Sequence, residues 1–299
     1  MWSWLKADKR ALISALFLVV LLGALLLAPW ISAGTPDLQG PQAFLGFGQE
    51  GHLLGTDDVG RDLWTRLLYG GQTSLLASLT AVVTAIVFGI PLGLVAGYFG
   101  GWVDTVLMRF VDTLLAFPAL VLAIGVSAAL GGGLTMSMIA VGIVFTPVIA
   151  RIVRGQVLSI RKRLFVEVAE TYGATRVRAM WRHVLPNSLR PIVVQSALLF
   201  ATGILAEASL SFLGLGVEPP TASWGSMMRS AFDFLSIAPD AIYPPGIALV
   251  LTVLAVNSLV DAGADRFEGI GTRRRSRRST ANPGDVKAAE EAPTTPGVL

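Results

Sequence analysis

The sequence has no cysteine, only two histidines and few charged residues. Without cysteine there is no disulfide framework, no thiolate ligand for a metal and no cysteine nucleophile. Two histidines, His52 and His183, do not favour a zinc or haem site built from this chain alone. The absences therefore argue against a disulfide scaffold, a metal site built by this chain and a cysteine hydrolase.

Charged residues make up only 14% of the 299 residues, whereas 53% are hydrophobic. Soluble domains carry about 25% charged residues, and a chain this depleted cannot cover its surface in water. An ordinary water-soluble domain is thereby excluded, and an integral membrane protein is the expected class. Such a chain is best divided into apolar spans of about 20 residues, each of which crosses roughly 30 Å of hydrocarbon.

Six apolar runs of suitable length predict an all-α, polytopic membrane helix bundle. The first exceeds the apolar core of a cleaved secretion signal, about 7–15 residues, so we expect an uncleaved membrane anchor. The uncharged run from Leu67 to Val103 would form about 55 Å of helix, so part of it must lie outside the membrane. The predicted spans are 11–30, 73–96, 111–130, 134–152, 191–217 and 243–260.

Prolines and glycines inside these spans predict how the helices pack. Pro118 and Pro147 should kink the third and fourth spans, which favours helices packed inside the bundle. Gly89, Gly93 and Gly97 recur every fourth residue in the second span, a spacing that lets helix backbones approach closely. Static packing is the simpler interpretation of this stripe, and a moving helix interface is the alternative.

Positive charge is concentrated on one side of the predicted membrane. Twenty of the 23 lysines and arginines fall on the faces that carry the two termini, and nine of them lie in segment 151–190. The positive-inside rule then places both termini in the cytoplasm. The predicted organisation is a cytoplasmic N-terminus (1–10), a first span (11–30), an extracytoplasmic loop (31–72), a core of five spans (73–262) and a cytoplasmic tail expected to be disordered (263–299).

Segment 151–190 interrupts the core with a pattern of two short amphipathic helices. Apolar residues recur at helical spacing on both sides of Gly173, which suits a helix end, and Thr175 suits the next N-cap. Leu185-Pro186 is expected to end the second helix. The apolar stripes could lie in the groove of a partner protein or rest on anionic lipid, and the residues alone leave both interpretations open.

Five stretches of this sequence resemble motifs of one family of membrane proteins. Glu167-Val168-Ala169, Gly173 and Leu185-Pro186 have the spacing of the EAA motif found in permeases of importer-type ABC transporters. Val168 replaces an alanine of that motif, and His183 replaces an isoleucine. The stretches 182–187, 52–62, 112–118 and 207–216 look like the second (C-type) membrane subunit of dipeptide and oligopeptide importers, so the resemblance covers about residues 50 to 265.

The resemblance implies a type I ABC importer permease core preceded by an extra N-terminal helix, in the bacterial cell membrane. It implies a second homologous permease subunit, two cytoplasmic ATPase domains that bind ATP and magnesium, and an extracytoplasmic peptide-binding protein. This chain would then hold no cofactor and be no enzyme, which agrees with its lack of a phosphate-binding loop. By carry-over, the residues that dock the ATPase are Glu167, Ala169, Gly173, Leu185 and Pro186.

Two alternatives to peptide import remain. Systems of the same family carry nickel or glutathione instead of peptides. A self-contained channel or secondary transporter would be expected to show charge relays in the membrane or inverted repeats. The sequence has a single deeply placed carboxylate and no convincing repeat.

That carboxylate is Glu207, in the fifth predicted span. An ionised side chain near the bilayer centre costs about 2.5–3.5 kcal/mol on insertion scales, so Glu207 needs a partner or a water-lined cavity. Ser211 lies one turn further on the same helix face. The pair either lines the translocation path or forms hydrogen bonds between helices.

Other charged residues are expected to have structural roles. Arg109 and Asp112 are spaced to form an ion pair within one helix. The outer-loop residues 57–62, with three aspartates and Arg61, either form a solvated turn or belong to a loop that receives a binding protein or folds over the pore mouth. The arginine run at 273–278 follows the last span directly, so it predicts contact with lipid headgroups and no binding of nucleic acid.

Overall fold

The computed structural model of this chain describes residues 9–32, 34–164, 168, 171–172 and 175–279. That part of the chain is almost entirely helical and contains no β-strand. A π-helical turn covers Met180–Val184, and single 3-10 turns lie at Gln49–Gly51 and Pro239–Ile242. The α-helices are α1 (Lys9–Leu26), α2 (Ala28–Ile31), α3 (Leu63–Phe99), α4 (Gly101–Ala116), α5 (Ala119–Ala129), α6 (Gly133–Ile160), α7 (Arg176–Ala179), α8 (Leu185–Phe212), α9 (Trp224–Asp233) and α10 (Tyr243–Ser279).

Five helical stretches are long and apolar enough to cross a membrane, which confirms the predicted polytopic bundle. They are α1, α3, α6, the helix that runs from Arg176 to Phe212, and Pro239–Ala264. The pair α4 and α5 would be a sixth span, but the two helices meet at an angle of 99°. The predicted third span, 111–130, is therefore not one kinked helix.

The break between α4 and α5 lies at Phe117 and Pro118. Both residues have extended backbone, with ψ angles of 143° and 125°. Proline lacks an N–H donor and disfavours helical geometry at the residue before it, so a helix tends to end there. Pro147, by contrast, lies inside a continuous α6. Two prolines in similar apolar surroundings thus have different effects, and only one of them bends the chain sharply.

Helix α3 is 37 residues long and starts at Leu63, earlier along the chain than the predicted span. Asp62 caps the helix because its side chain accepts a hydrogen bond from the Thr65 backbone N–H. Gly71 lies inside the helix: a Cβ there would come within 2.8 Å of Leu25 and Trp224. This glycine therefore permits close packing of α3 against α1 and α9.

Helices α3 and α6 form the centre of the bundle, and the glycine stripe is their contact. A Cβ added to Gly89 would lie 2.7 Å from the Ile149 Cβ, and one on Gly93 would lie 2.6 Å from the Val153 Cβ. Gly97 faces Val157 in the same way. Each glycine thus meets a β-branched residue of α6, as the packing interpretation expects.

The remaining long helices surround this pair. Helix α8 packs against α3 and α6, while α10 contacts α8 and α1. The last helix continues to Ser279, whereas the sequence predicted a disordered tail from residue 263. A helix that is already nucleated by its membrane span needs only propagation to extend, which costs far less than starting a new one.

Candidate functional site

The segment predicted to dock a partner is described only in part. Glu167, Ala169 and Gly173 lie outside the described residues, whereas Leu185 and Pro186 begin α8. Thr175 is the N-cap of α7, as predicted, because its hydroxyl accepts a hydrogen bond from the Arg178 backbone N–H at 3.3 Å. The second half of the segment is therefore helical from Arg176 onward.

The prediction that Leu185-Pro186 ends this helix is wrong. A π-helical turn at Met180–Val184 joins α7 to α8, and the Leu185 N–H donates to the carbonyl of Met180 five residues earlier. Pro186 has no N–H to donate and its ring would crowd the preceding turn, which the wider π turn accommodates. One continuous helix thus connects the basic segment to the fifth span.

The apolar stripe of this helix is divided between the bundle and the surface. Met180 and Val184 are buried in the main core, in a cluster that also contains Val157 and Ile160 of α6. Trp181 and Val177, by contrast, are about half exposed. One face of the helix is therefore anchored in the main core, and the other leaves an apolar edge uncovered.

Glu207 lies at the centre of a closed hydrogen-bond network between helices. Its Oε2 accepts from the Ser74 hydroxyl of α3 at 2.8 Å, and its Oε1 accepts from the Ser211 hydroxyl at 2.7 Å. Ser74 in turn accepts from the Trp224 backbone N–H at 3.1 Å, and Ser211 from the Val217 N–H at 3.2 Å. Both carboxylate oxygens thus have donors without any basic side chain.

This geometry favours the hydrogen-bonding interpretation of Glu207 over a place in the translocation path. Glu207 and Ser211 are each only 1% exposed, so neither side chain faces an open passage in this structure. The network joins α8 to α3 and to the start of α9. Sequence reasoning missed Ser74 and the Trp224 backbone, because both are distant along the chain from Glu207.

The three acids of the outer loop have partners and do not form a solvated turn: Asp57 and Asp58 lie against Arg61, and Asp62 pairs with His52 at 2.8 Å. Arg66 of α3 is only 6% exposed, and its Nη1 donates to the carbonyls of Pro36 and Pro220 at 3.0 and 3.2 Å. Asp57 accepts from the Arg61 Nε at 2.7 Å and lies 3.5 Å from the Arg66 Nε. Arg66 thereby connects the loop to α3 and to the chain before α9.

The predicted ion pair between Arg109 and Asp112 is wrong. Asp112 of α4 pairs instead with Arg151 of α6 at 2.6 Å, and Asp104 accepts two hydrogen bonds from Arg154 at 2.5 and 2.7 Å. These pairs join two helices, because α4 lies along the end of α6 that leads into the basic segment. Helical spacing predicts partners on one helix and could not reveal this alignment.

Among the described residues, no group of three His, Asp or Glu side chains is placed to hold a metal ion. The polar groups that the structure does assemble are hydrogen-bond networks between apolar helices. Together with the five or six spans, they define a polytopic membrane protein whose interior is built to hold helices together.

The chain belongs to the family of inner membrane components of binding-protein-dependent transport systems, whose sequence pattern matches residues 89–269. This confirms the predicted class, the ABC importer permeases. Members of this family are multi-pass inner membrane subunits of transporters, and the ATPase activity of these systems belongs to separate subunits.

Several curated relatives match most of the chain. A peptide transport system permease protein of Brucella suis is 44% identical over 84% of this chain and 84% of its own length. The dipeptide transport system permease protein DppC of Alkalihalophilus pseudofirmus is 38% identical over 88% of this chain and 87% of its own. The glutathione transport system permease protein GsiD of Escherichia coli is 40% identical over 89% and 88%.

The fold also matches solved membrane proteins. An inward-facing structure of the MetNI methionine ABC transporter superposes with a TM-score of 0.54 and 18% identity, covering 66% of this chain and 93% of the other. An amino acid ABC transporter structure gives a TM-score of 0.51 at 16% identity, covering 67% and 94%. These likenesses confirm the type I importer permease fold.

Proposed function

We propose that this chain pairs with a second homologous permease subunit to form the translocation path for dipeptides and oligopeptides in an ATP-driven importer. The observation that carries the proposal is identity of 38–44% to peptide and dipeptide permeases over 84–88% of the chain. An extracytoplasmic binding protein delivers the peptide, and two cytoplasmic ATPase domains bind ATP and magnesium. Both termini lie in the cytoplasm, because the basic residues are concentrated on their side.

In this proposal, segment 151–190 docks on an ATPase through Glu167, Ala169, Gly173, Leu185 and Pro186. The continuous helix from Arg176 to Phe212 supports a mechanical role for the segment. Since Met180 and Val184 belong to the main core and α8 packs against α6, a displacement of the docked segment would be passed on to both helices. Such rigid-body motion is a common way to switch between two states.

The docking assignment is tested by substitutions that leave the spans untouched. We expect Glu167→Lys and Gly173→Asp to insert into the membrane normally but to abolish transport, with peptide-independent ATP hydrolysis by the assembled complex. The matched control is Val168→Ala, which restores the alanine of the motif and should transport like the parent. Normal peptide uptake by both variants would contradict the assignment.

Glutathione is the second candidate substrate, because a glutathione permease is 40% identical to this chain. The two candidates are separated by reconstituting the complete importer with its binding protein and measuring uptake of labelled dipeptides, longer peptides, glutathione and nickel. We expect unmodified peptides to be taken up and to stimulate ATP hydrolysis. Uptake of glutathione or nickel alone would exclude peptide import.

A further inference from the structure

A basic cleft lies between α6 and α8 at one end of the bundle. It measures about 510 Å³, and α10 contributes Ala264 to its wall. Arg151 of α6 and Arg190 of α8 both line it, with the amide side chains of Gln156 and Gln195. Among the side chains that the structure describes, those lining the cleft include no acid, and Arg151 pairs with Asp112 of α4.

Sequence position places this cleft at the boundary of the membrane. Arg151 is the first charged residue after the uncharged run 113–150, and Arg190 is the last before the uncharged run 191–206. Both runs belong to helices that are apolar enough to span a bilayer. The cleft therefore lies where hydrocarbon gives way to headgroups, on the side that carries most of the basic residues.

The cleft is lined by both apolar and hydrogen-bonding side chains, which match the acyl chains and the headgroup of a phospholipid. Ile152, Pro191 and Val194 supply apolar wall, while the guanidinium groups and amides supply hydrogen-bond donors. The pairing of Arg151 with Asp112 uses its Nη2, and a guanidinium has five N–H donors, so donors remain for a phosphate. Basic pockets between membrane helices on the positive side are suited to anionic headgroups.

We propose that this cleft binds the phosphate of an anionic phospholipid headgroup. The lipid would lie against α6 and α8, the helices on either side of the basic segment. Gly155 faces open space in the cleft, since a Cβ at this position would meet nothing within 4 Å. The proposal concerns lipid only and stands whether the importer carries peptides or another solute.

Native mass spectrometry of the full-length chain tests the proposal, in mixed micelles that contain phosphatidylglycerol and phosphatidylcholine with identical acyl chains. We expect preferential retention of phosphatidylglycerol, and about fivefold weaker retention for each of Arg151→Gln and Arg190→Gln. Arg109→Gln is the matched control, since Arg109 is exposed on α4 but does not line the cleft. The control should keep the lipid preference.

A further variant tests the proposal even if the arginine substitutions disturb folding. Gly155→Leu fills the cleft without changing any charge, and we expect it to lose phosphatidylglycerol while unfolding at the parent temperature. Equal retention of the two lipids by the parent chain would overturn the proposal, as would an unchanged preference in the arginine variants or in Gly155→Leu. Binding of millimolar inorganic phosphate in place of lipid would assign the cleft to free phosphate and overturn the lipid assignment.

Discussion

A carboxylate can remain inside a membrane bundle when each of its oxygens has a donor, and Glu207 meets that condition. The donors are the hydroxyls of Ser74 and Ser211, and each hydroxyl accepts a backbone N–H in turn. Buried polar groups that are fully satisfied stabilise one arrangement of the chain, whereas a partly satisfied network is costly. Through these hydrogen bonds Glu207 links α8 to α3, which favours a structural role for its side chain.

This role predicts that Glu207→Gln destabilises the protein without changing its affinity for substrate. The amide has one acceptor oxygen and an NH₂ group, so it places a donor opposite a serine that already donates. We expect the free energy of unfolding to fall by about 1–3 kcal/mol. Thermal unfolding in detergent and uptake kinetics of the reconstituted importer measure the two effects.

The matched control for this substitution is Ser209→Ala on the same helix. Ser209 is exposed, and its hydroxyl donates only to the Leu205 carbonyl of its own helix, so its loss should leave stability nearly unchanged. A Glu207→Gln variant that is as stable as the parent but has a raised KM would show that Glu207 contacts the substrate.

At the scale of elements, the contact between α3 and α6 depends on the absence of side chains at three positions. Glycine destabilises a helix interior relative to alanine, so its presence at Gly89, Gly93 and Gly97 needs a compensating gain. That gain is the approach of α6, whose Ile149, Val153 and Val157 occupy the space that a Cβ would need. Close packing of this kind is the main source of helix association in lipid.

We therefore expect Gly93→Ala to lower the free energy of unfolding by about 1–3 kcal/mol, because the added methyl group overlaps Val153. Gly125→Ala is the matched control: it lies in helix α5, and a Cβ there meets nothing within 4 Å. Thermal unfolding of both variants in the same detergent checks the prediction. If Gly93→Ala were as stable as Gly125→Ala, the close contact between α3 and α6 would contribute little to the stability of the protein.

Across the whole molecule, the sequence predicted what depends on composition and on local spacing. The all-α membrane class followed from scarce charge, and the cap at Thr175 and the packing role of the glycine stripe followed from residue type and spacing. The sequence did not predict partners that are distant along the chain. Asp112 pairs with Arg151 and Ser74 with Glu207 because of how whole helices align, and the helix continues through Pro186 because a π turn precedes it.

The orientation of the molecule in the membrane is open to a direct test, because the natural sequence has no cysteine to give background labelling. Leu53 in the outer loop is 60% exposed and Leu164 in the basic segment is 73% exposed, so a cysteine at either position is accessible to a maleimide. With both termini in the cytoplasm, an impermeant maleimide should label Leu53→Cys on spheroplasts and Leu164→Cys only after permeabilisation. Ala85→Cys is the control, because Ala85 is fully buried between helices and should remain unlabelled in both conditions. The reverse pattern would place the basic segment outside, where no cytoplasmic ATPase could reach it, and would contradict the proposed coupling.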